Sequence, residues 1–165
     1  MNIVASIGLS DASIRYTDRP TVKIIIKKDD TILLLNNGLL PGGGVNRSES
    51  DSDAISREIH EELGLVVTDV KELGTVIQYR DFLKQRYIIN GYTATLDSTG
   101  GSSDPQDAGE AQFIQTWLTV NDAFDLVSRS ISTAEVQPVD DDTNQGRFYN
   151  LMTTYELIKQ LKIKC

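Results

Sequence analysis

The chain has 165 residues, 39% of them hydrophobic and 24% charged, and a formal net charge of −8. That composition suits one packed domain and is too apolar for general disorder. The acidic surplus argues against sequence-independent nucleic-acid binding, which needs clustered Lys and Arg to neutralise phosphates, and against an anionic membrane surface.

Taken in chain order, residues 1–20 read as an N-terminal extension of a single domain spanning 1–165. Thr21 to Lys28, rich in β-branched residues, and Thr31 to Leu35 flank Asp29-Asp30 and predict a β-hairpin. Leu40-Pro-Gly-Gly-Gly-Val45 follows, and its three glycines give a backbone free to approach a ligand closely. Ser50 with Asp53 forms a capping box that opens a helix, Ile55, Ile59 and Leu63 make its apolar stripe, and Gly64 ends it. Val66 to Gln78 and Arg86 to Leu96 read as strands, and Asp97 to Gly109 as a surface loop. Phe113 to Leu118 is a further strand, Asn121 to Val127 a helix, Ser128 to Gln145 a polar connection carrying Asp140 to Asp142, and Tyr149 to Leu161 a final helix. The whole is a mixed α/β domain.

Six carboxylates, Glu49, Asp51, Asp53, Glu58, Glu61 and Glu62, lie between residues 49 and 62, where an even spread of the 24 would leave about two. On a helix turning roughly 100° per residue, Glu58, Glu61 and Glu62 share one face. Like charges so placed repel, and a divalent cation turns the repulsion into coordination, because carboxylates and carbonyls are ligands for Mg²⁺ or Mn²⁺. Taken alone, such a cluster is more often a solvated acidic face.

The full string settles the weighing. Gly43, Glu49, Arg57-Glu58-Ile59, Glu61-Glu62 and Gly64-Leu65 match all nine defined positions of G-x5-E-x7-R-E-U-x-E-E-x-G-U, with U aliphatic. Residues 43–65 therefore resemble the Nudix box, and the order of hairpin, glycine loop, helix and strands extends the likeness from about Thr21 onward. The resemblance implies a Nudix-type α/β/α sandwich with a mixed sheet. It implies a Mg²⁺-dependent pyrophosphohydrolase, with Mn²⁺ as a substitute, that cleaves a nucleoside diphosphate linked to another group X by metal-activated attack of water on phosphorus. It implies Glu58, Glu61 and Glu62 as metal ligands, with the carbonyl of Gly42, and Glu49 with Arg57 as partners holding the loop against the helix. An arginine fork grips a carboxylate with two hydrogen bonds. Gly43, Gly44 and Arg80 are the expected substrate contacts.

Nudix enzymes differ in whether a box glutamate or a carboxylate on a distant loop deprotonates the water, and Glu110 is the distant candidate here. His60, the single histidine, projects opposite the carboxylates and is expected to face solvent. With no second His and Cys165 as the lone cysteine, Ser/His and Cys/His nucleophilic catalysis and a His/Cys zinc centre are excluded. Arg80, Lys84 and Arg86 read as a basic hairpin tip. Tyr79, Phe82, Tyr87 and Trp117 are candidates to stack on a base, although aromatics in sheets more often belong to the core.

The proline and tyrosine positions that sort Nudix subfamilies downstream of the box are not matched cleanly by Tyr79-Arg80-Asp81-Phe82-Leu83, which leaves X open. The alternative is a non-catalytic Nudix domain that binds or senses a nucleotide; degenerate boxes mark such domains, and this one is intact. No secretory or membrane-spanning pattern is present, so a cytoplasmic protein is expected, with a small nucleotide as partner. Nudix domains often dimerise, and a homodimer belongs to what the resemblance implies.

Overall fold

In the computed structural model, which describes residues 1–97, 113–135 and 142–164, the elements run β1 (Ile3–Ile7), β2 (Thr17–Lys28), β3 (Thr31–Leu35), α1 (Asp51–Leu63), β4 (Val67–Arg80), β5 (Gln85–Leu96), β6 (Gln115–Thr119), α2 (Val120–Glu135) and α3 (Asp142–Lys164). The six strands form one mixed sheet in the order β1-β4-β5-β2-β3-β6. β1 runs parallel to β4 and β2 parallel to β5, while the remaining neighbours are antiparallel.

Side-chain alternation along β2 and β3 explains why this sheet is covered on both faces. Val22, Ile24 and Ile26 with Leu33 and Leu35 point to one side and pack with Ala54, Ile55, Ile59 and Leu63 of α1. Ile25, Ile32 and Leu34 point to the other and meet Ala123 and Val127 of α2 and Leu157, Ile158 and Leu161 of α3. The result is the expected α/β/α sandwich. Each fully buried Ile or Leu adds about 1.5–3 kcal/mol, so β2 and β3 are the strands the fold can least lose.

The hairpin turn falls at Asp29-Asp30 as its composition indicates, with Asp29 at φ 51° and the Thr31 hydroxyl donating to the Lys28 carbonyl at 2.7 Å. Helix α1 also ends where its signals place it. The Ser50 hydroxyl accepts from the Asp53 amide at 3.2 Å, and Gly64 closes the helix in the left-handed region at φ 63°.

Three segments differ from the sequence reading. The first twenty residues are not an appendage, because β1 pairs with β4 and β2 starts at Thr17, ahead of the hydrophobic run. Residues Ser128 to Glu135 continue α2, and α3 starts at Asp142, so most of the polar connection is helix. Hydroxyls explain why its polarity misleads: Ser128, Ser132 and Thr133 donate to the carbonyls of Phe124, Ser128 and Arg129 within the helix. Glu110 and nearly all of the Asp97 to Gly109 stretch lie outside the described residues, as do Asp140, Asp141 and Cys165.

What places the site is the path of the glycine loop. Asn36, Asn37 and Gly38 all have positive φ, which turns the chain back after β3. Residues 41–45 then run along β2 in the place β3 would take if the hairpin were longer. Val22 donates to Gly43 at 3.0 Å, Ile24 to Pro41 at 3.1 Å and Val45 to Pro20 at 3.0 Å.

Candidate active site

Two glycines in this loop are required by close approach. A Cβ on Gly42, at φ 112°, would strike the Val22 carbonyl oxygen, and one on Gly43 would lie 2.5 Å from both carboxylate oxygens of Glu58. Glu58 therefore lies against the bare backbone of the loop. Glu62, one helical turn further on, accepts from the Gly42 amide at 2.9 Å. Both carboxylates are thereby fastened to the segment whose Gly42 carbonyl belongs to the expected ligand set.

Arg57 organises the remainder. Its Nε and Nη2 donate to the two oxygens of Glu49 at 2.8 and 3.0 Å, and Nη2 also reaches the Gly44 carbonyl at 2.9 Å. The Asn46 amide donates to Glu49 at 2.7 Å. These bonds, Arg57's first, draw the Glu49 carboxyl down to about 2. Arg57 Nη1 faces the other way and donates to Glu58 at 2.8 Å and Glu61 at 3.1 Å. The sequence pairs Arg57 with Glu49 alone; the structure makes it a bridge between the loop clamp and the acidic face. Its pKa is raised, chiefly by the Glu49 hydrogen bond.

Lys23 is the residue that sequence reasoning missed. Its ammonium donates to the Leu40 carbonyl at 3.0 Å and to the Gly42 carbonyl. Burial lowers its pKa and the Glu62 and Glu58 carboxylates oppose that shift. The available signal was a lysine inside an otherwise apolar strand run, Val22-Lys23-Ile24, directly across from the glycine loop.

Beside Lys23 a cavity of about 110 Å³ opens between the loop and α3, with Glu62, Phe113, Asn150, Thr153 and Thr154 in its wall. Arg80 lies at the buried end of β4 rather than on the hairpin tip. It bonds Gln78 at 3.0 Å and Asn150 at 2.9 Å, and its guanidinium stacks 4.0 Å from the centre of the Tyr87 ring. The tip itself is the turn from Asp81 to Lys84; Arg86 is forked onto Asp18 at 2.8 and 2.7 Å. Tyr87 belongs to the core, in keeping with the structural reading of its ring. His60 is half-buried and lines a separate hollow with Ser56, Ile59 and Val67, so it is less exposed than its projection suggests.

The donor chemistry can be tested against a divalent cation. Among the described residues no three His, Cys, Asp or Glu side chains converge as a finished cage. The chain's own positive groups gather on these oxygens: Arg57 bridges Glu58 and Glu61, and Lys23 donates to the Gly42 carbonyl with Glu62 and Glu58 as opposing charges. Hard oxygen donors fastened to a rigid loop, with positive groups gathered on them, fit a hard divalent ion.

Comparison with known proteins bears on the family. The family model described as the NUDIX domain matches residues 17–137. Among solved structures, the chain is similar to an ADP compounds hydrolase, at 21% identity over 91% of this chain and 76% of that one, with a TM-score of 0.58. It is similar to a NUDIX hydrolase from Nitrosomonas europaea, at 20% identity over 68% and 79% and a TM-score of 0.55. A MutT NUDIX hydrolase from Burkholderia pseudomallei aligns at 23% identity over 64% and 85%, with a TM-score of 0.51. At such identities the structural likeness speaks for the fold. A search of curated proteins returned no match. The domain match over most of the chain, joined to an intact box folded into a loop-and-helix clamp, shows that the chain belongs to the Nudix family and is a Nudix hydrolase.

Proposed function

We propose that the protein hydrolyses a pyrophosphate linkage in a nucleoside diphosphate joined to another group, in a Mg²⁺-dependent reaction that Mn²⁺ also supports. The observation that carries this reading is the clamp in which Arg57 ties Glu49 and the Gly44 carbonyl to the face bearing Glu58 and Glu61, with Glu62 fastened to the Gly42 amide. Glu58, Glu61, Glu62 and the Gly42 carbonyl would hold the divalent ion, which supplies charge neutralisation on the phosphate oxygens and an acidified water. The residues of the chain do the rest. Glu49 and Arg57 fix the angle between loop and helix, so that the carboxylates keep their spacing when a polyanion arrives. A box glutamate or Glu110 takes the proton of the attacking water.

Gly43, Gly44 and Arg80 are proposed to meet the substrate. Arg80 suits that role because its guanidinium is already oriented by Gln78, Asn150 and the Tyr87 ring next to the cavity that borders Glu62. A small nucleotide is the proposed partner, the cytosol the proposed location and a homodimer the proposed assembly; among the described residues no helix is long and apolar enough to cross a membrane.

The test is turnover of nucleoside triphosphates, ADP-ribose, dinucleoside polyphosphates and nucleotide sugars with Mg²⁺, with release of a phosphomonoester as the expected outcome. Folded protein that binds a nucleotide without hydrolysing any member would favour the sensor reading instead.

A further inference from the structure

Arg19 is an exposed arginine near the start of β2. Side chains of β2 alternate between the two faces of the sheet, and Arg19 falls on the same face as Ile25, the one that α3 covers. Its guanidinium carbon lies 5.3 Å from the centre of the Tyr87 ring, which also carries Arg80 at 4.0 Å. Two like charges on one ring repel, and among the described residues no carboxylate pairs with Arg19, although the chain holds 24 of them. That arrangement suits an anion from outside the chain. The second neighbour of Arg19 is bare backbone. Gly44 has no positive φ, so its conformation is open to any residue. Packing does not demand glycine either, since the nearest atom to a Cβ there is Arg19 Nη2, in ordinary contact at 3.8 Å. Gly42 and Gly43 are fixed by close approach; Gly44 instead leaves a space floored by backbone and walled by a guanidinium. Arg57 holds the Gly44 carbonyl at 2.9 Å, so the clamp also steadies that floor.

We propose that the space between Arg19 and the Gly44 backbone is a subsite for a phosphate beyond the pyrophosphate held at the glutamates. Arg19 is then a specificity-determining residue that selects a substrate with three or more phosphates in line over a nucleotide sugar. The proposal rests on the pyrophosphohydrolase reading above and adds the class of substrate to it. Register gives the phosphate chain its direction. The loop runs antiparallel to β2, with Gly43 accepting from Val22 and Gly44 opposite Thr21, so a polyphosphate leaving Glu58 and Glu62 along Gly43 and Gly44 comes next to Arg19. A guanidinium fork matches phosphate with two hydrogen bonds, and stacking on the Tyr87 ring restrains its plane. A nucleotide sugar continues at that point into an uncharged ring, which takes water from the guanidinium without pairing its charge.

The experiment is calorimetric titration of the protein in Mg²⁺ with methylene-bridged diphosphate and methylene-bridged triphosphate, which contain no anhydride to hydrolyse. Wild type is compared with Arg19→Gln, which removes the charge, and with Gly44→Val, which fills the space and keeps every charge. Thermal unfolding in EDTA checks that each is folded, and if one variant fails to fold the other decides. Wild type is expected to bind the triphosphate about 10-fold or more tighter than the diphosphate, the scale of a charge-assisted hydrogen bond. In both variants that preference is expected to fall toward unity. Equal binding of the two probes by wild type, or a preference that survives in either folded variant, would overturn the proposal. Turnover supplies a second readout. The ratio of kcat/KM for a nucleoside triphosphate to that for ADP-ribose is expected to fall about 10-fold in Arg19→Gln, chiefly through KM for the triphosphate. The two readings fail differently. Folded wild type that binds neither probe and hydrolyses no nucleotide contradicts the hydrolase reading and takes this proposal with it. Wild type that hydrolyses ADP-ribose but no triphosphate, or whose ratio is unchanged in Arg19→Gln, contradicts only the subsite.

Discussion

Arg57 holds Glu49 by two hydrogen bonds of 2.8 and 3.0 Å while its remaining nitrogen donates to Glu58 at 2.8 Å. One guanidinium thus connects the loop before α1 with the acidic face of α1, and the shape of the site depends on it. Replacement by Ala is expected to lower both the melting temperature and activity, the latter by about 10–100-fold, the usual loss when a residue that orients metal ligands is removed. Arg57→Lys, which keeps the charge and loses the fork, is expected to recover only part of the activity. Thermal melts with and without metal, beside steady-state kinetics, check this.

The same pair sets an acid limit. Glu49 ionises near 2 in the folded chain against an ordinary value of 4.5. A carboxyl whose folded-state pKa lies below its unfolded one contributes stability that is complete above the unfolded value and lost as the pH falls through the folded one. Wild type is therefore expected to lose more melting temperature between about pH 4.5 and 2 than Glu49→Gln does. Parallel pH titrations of the two melting temperatures read this out, and curves of the same steepness would remove Glu49 from the account.

Glu58→Gln and Glu62→Gln should separate activity from stability. Each is expected to lower turnover by at least about 100-fold, the scale set by losing several kcal/mol of charge stabilisation around a bound ion. Metal affinity falls with it. In EDTA the melting temperature is expected to change little, since the relief of repulsion among three like charges is offset by weaker bonds to Arg57 and to the Gly42 amide.

Neighbouring glycines should behave differently. Gly42→Ala adds a Cβ against the Val22 backbone at a φ of 112°, and is expected to cost at least about 1–3 kcal/mol in folding stability. Gly43→Ala meets only the far end of Glu58, 2.5 Å away, which can swing aside. Its expected effect is weaker metal binding with a nearly unchanged melting temperature.

Much of this was readable in the chain because the signals are local. Ser50 and Gly64 bound α1 within one residue of where their capping chemistry puts them, and the box spacing brings Glu58 and Glu62 to one face without any tertiary information. β1 was not readable, since its five residues carry no strong alternation and are made a strand by parallel pairing with β4, some seventy positions away. The second half of α2 escaped for the opposite reason: its serines satisfy their hydroxyls on carbonyls of their own helix, a solution that polarity alone does not disclose. Lys23 had no reading of its own within the strand Thr21 to Lys28, and its meaning came from Leu40 and Gly42, which the turn at Asn36 to Gly38 brings back beside it.

The most direct test of the central claim is ³¹P NMR of the nucleotide panel incubated with wild type and with Glu62→Gln, each in Mg²⁺ and in EDTA. The account predicts a phosphomonoester product from at least one substrate with wild type and Mg²⁺, and none in EDTA or with Glu62→Gln. No product from folded wild type, or equal product from Glu62→Gln, would contradict it.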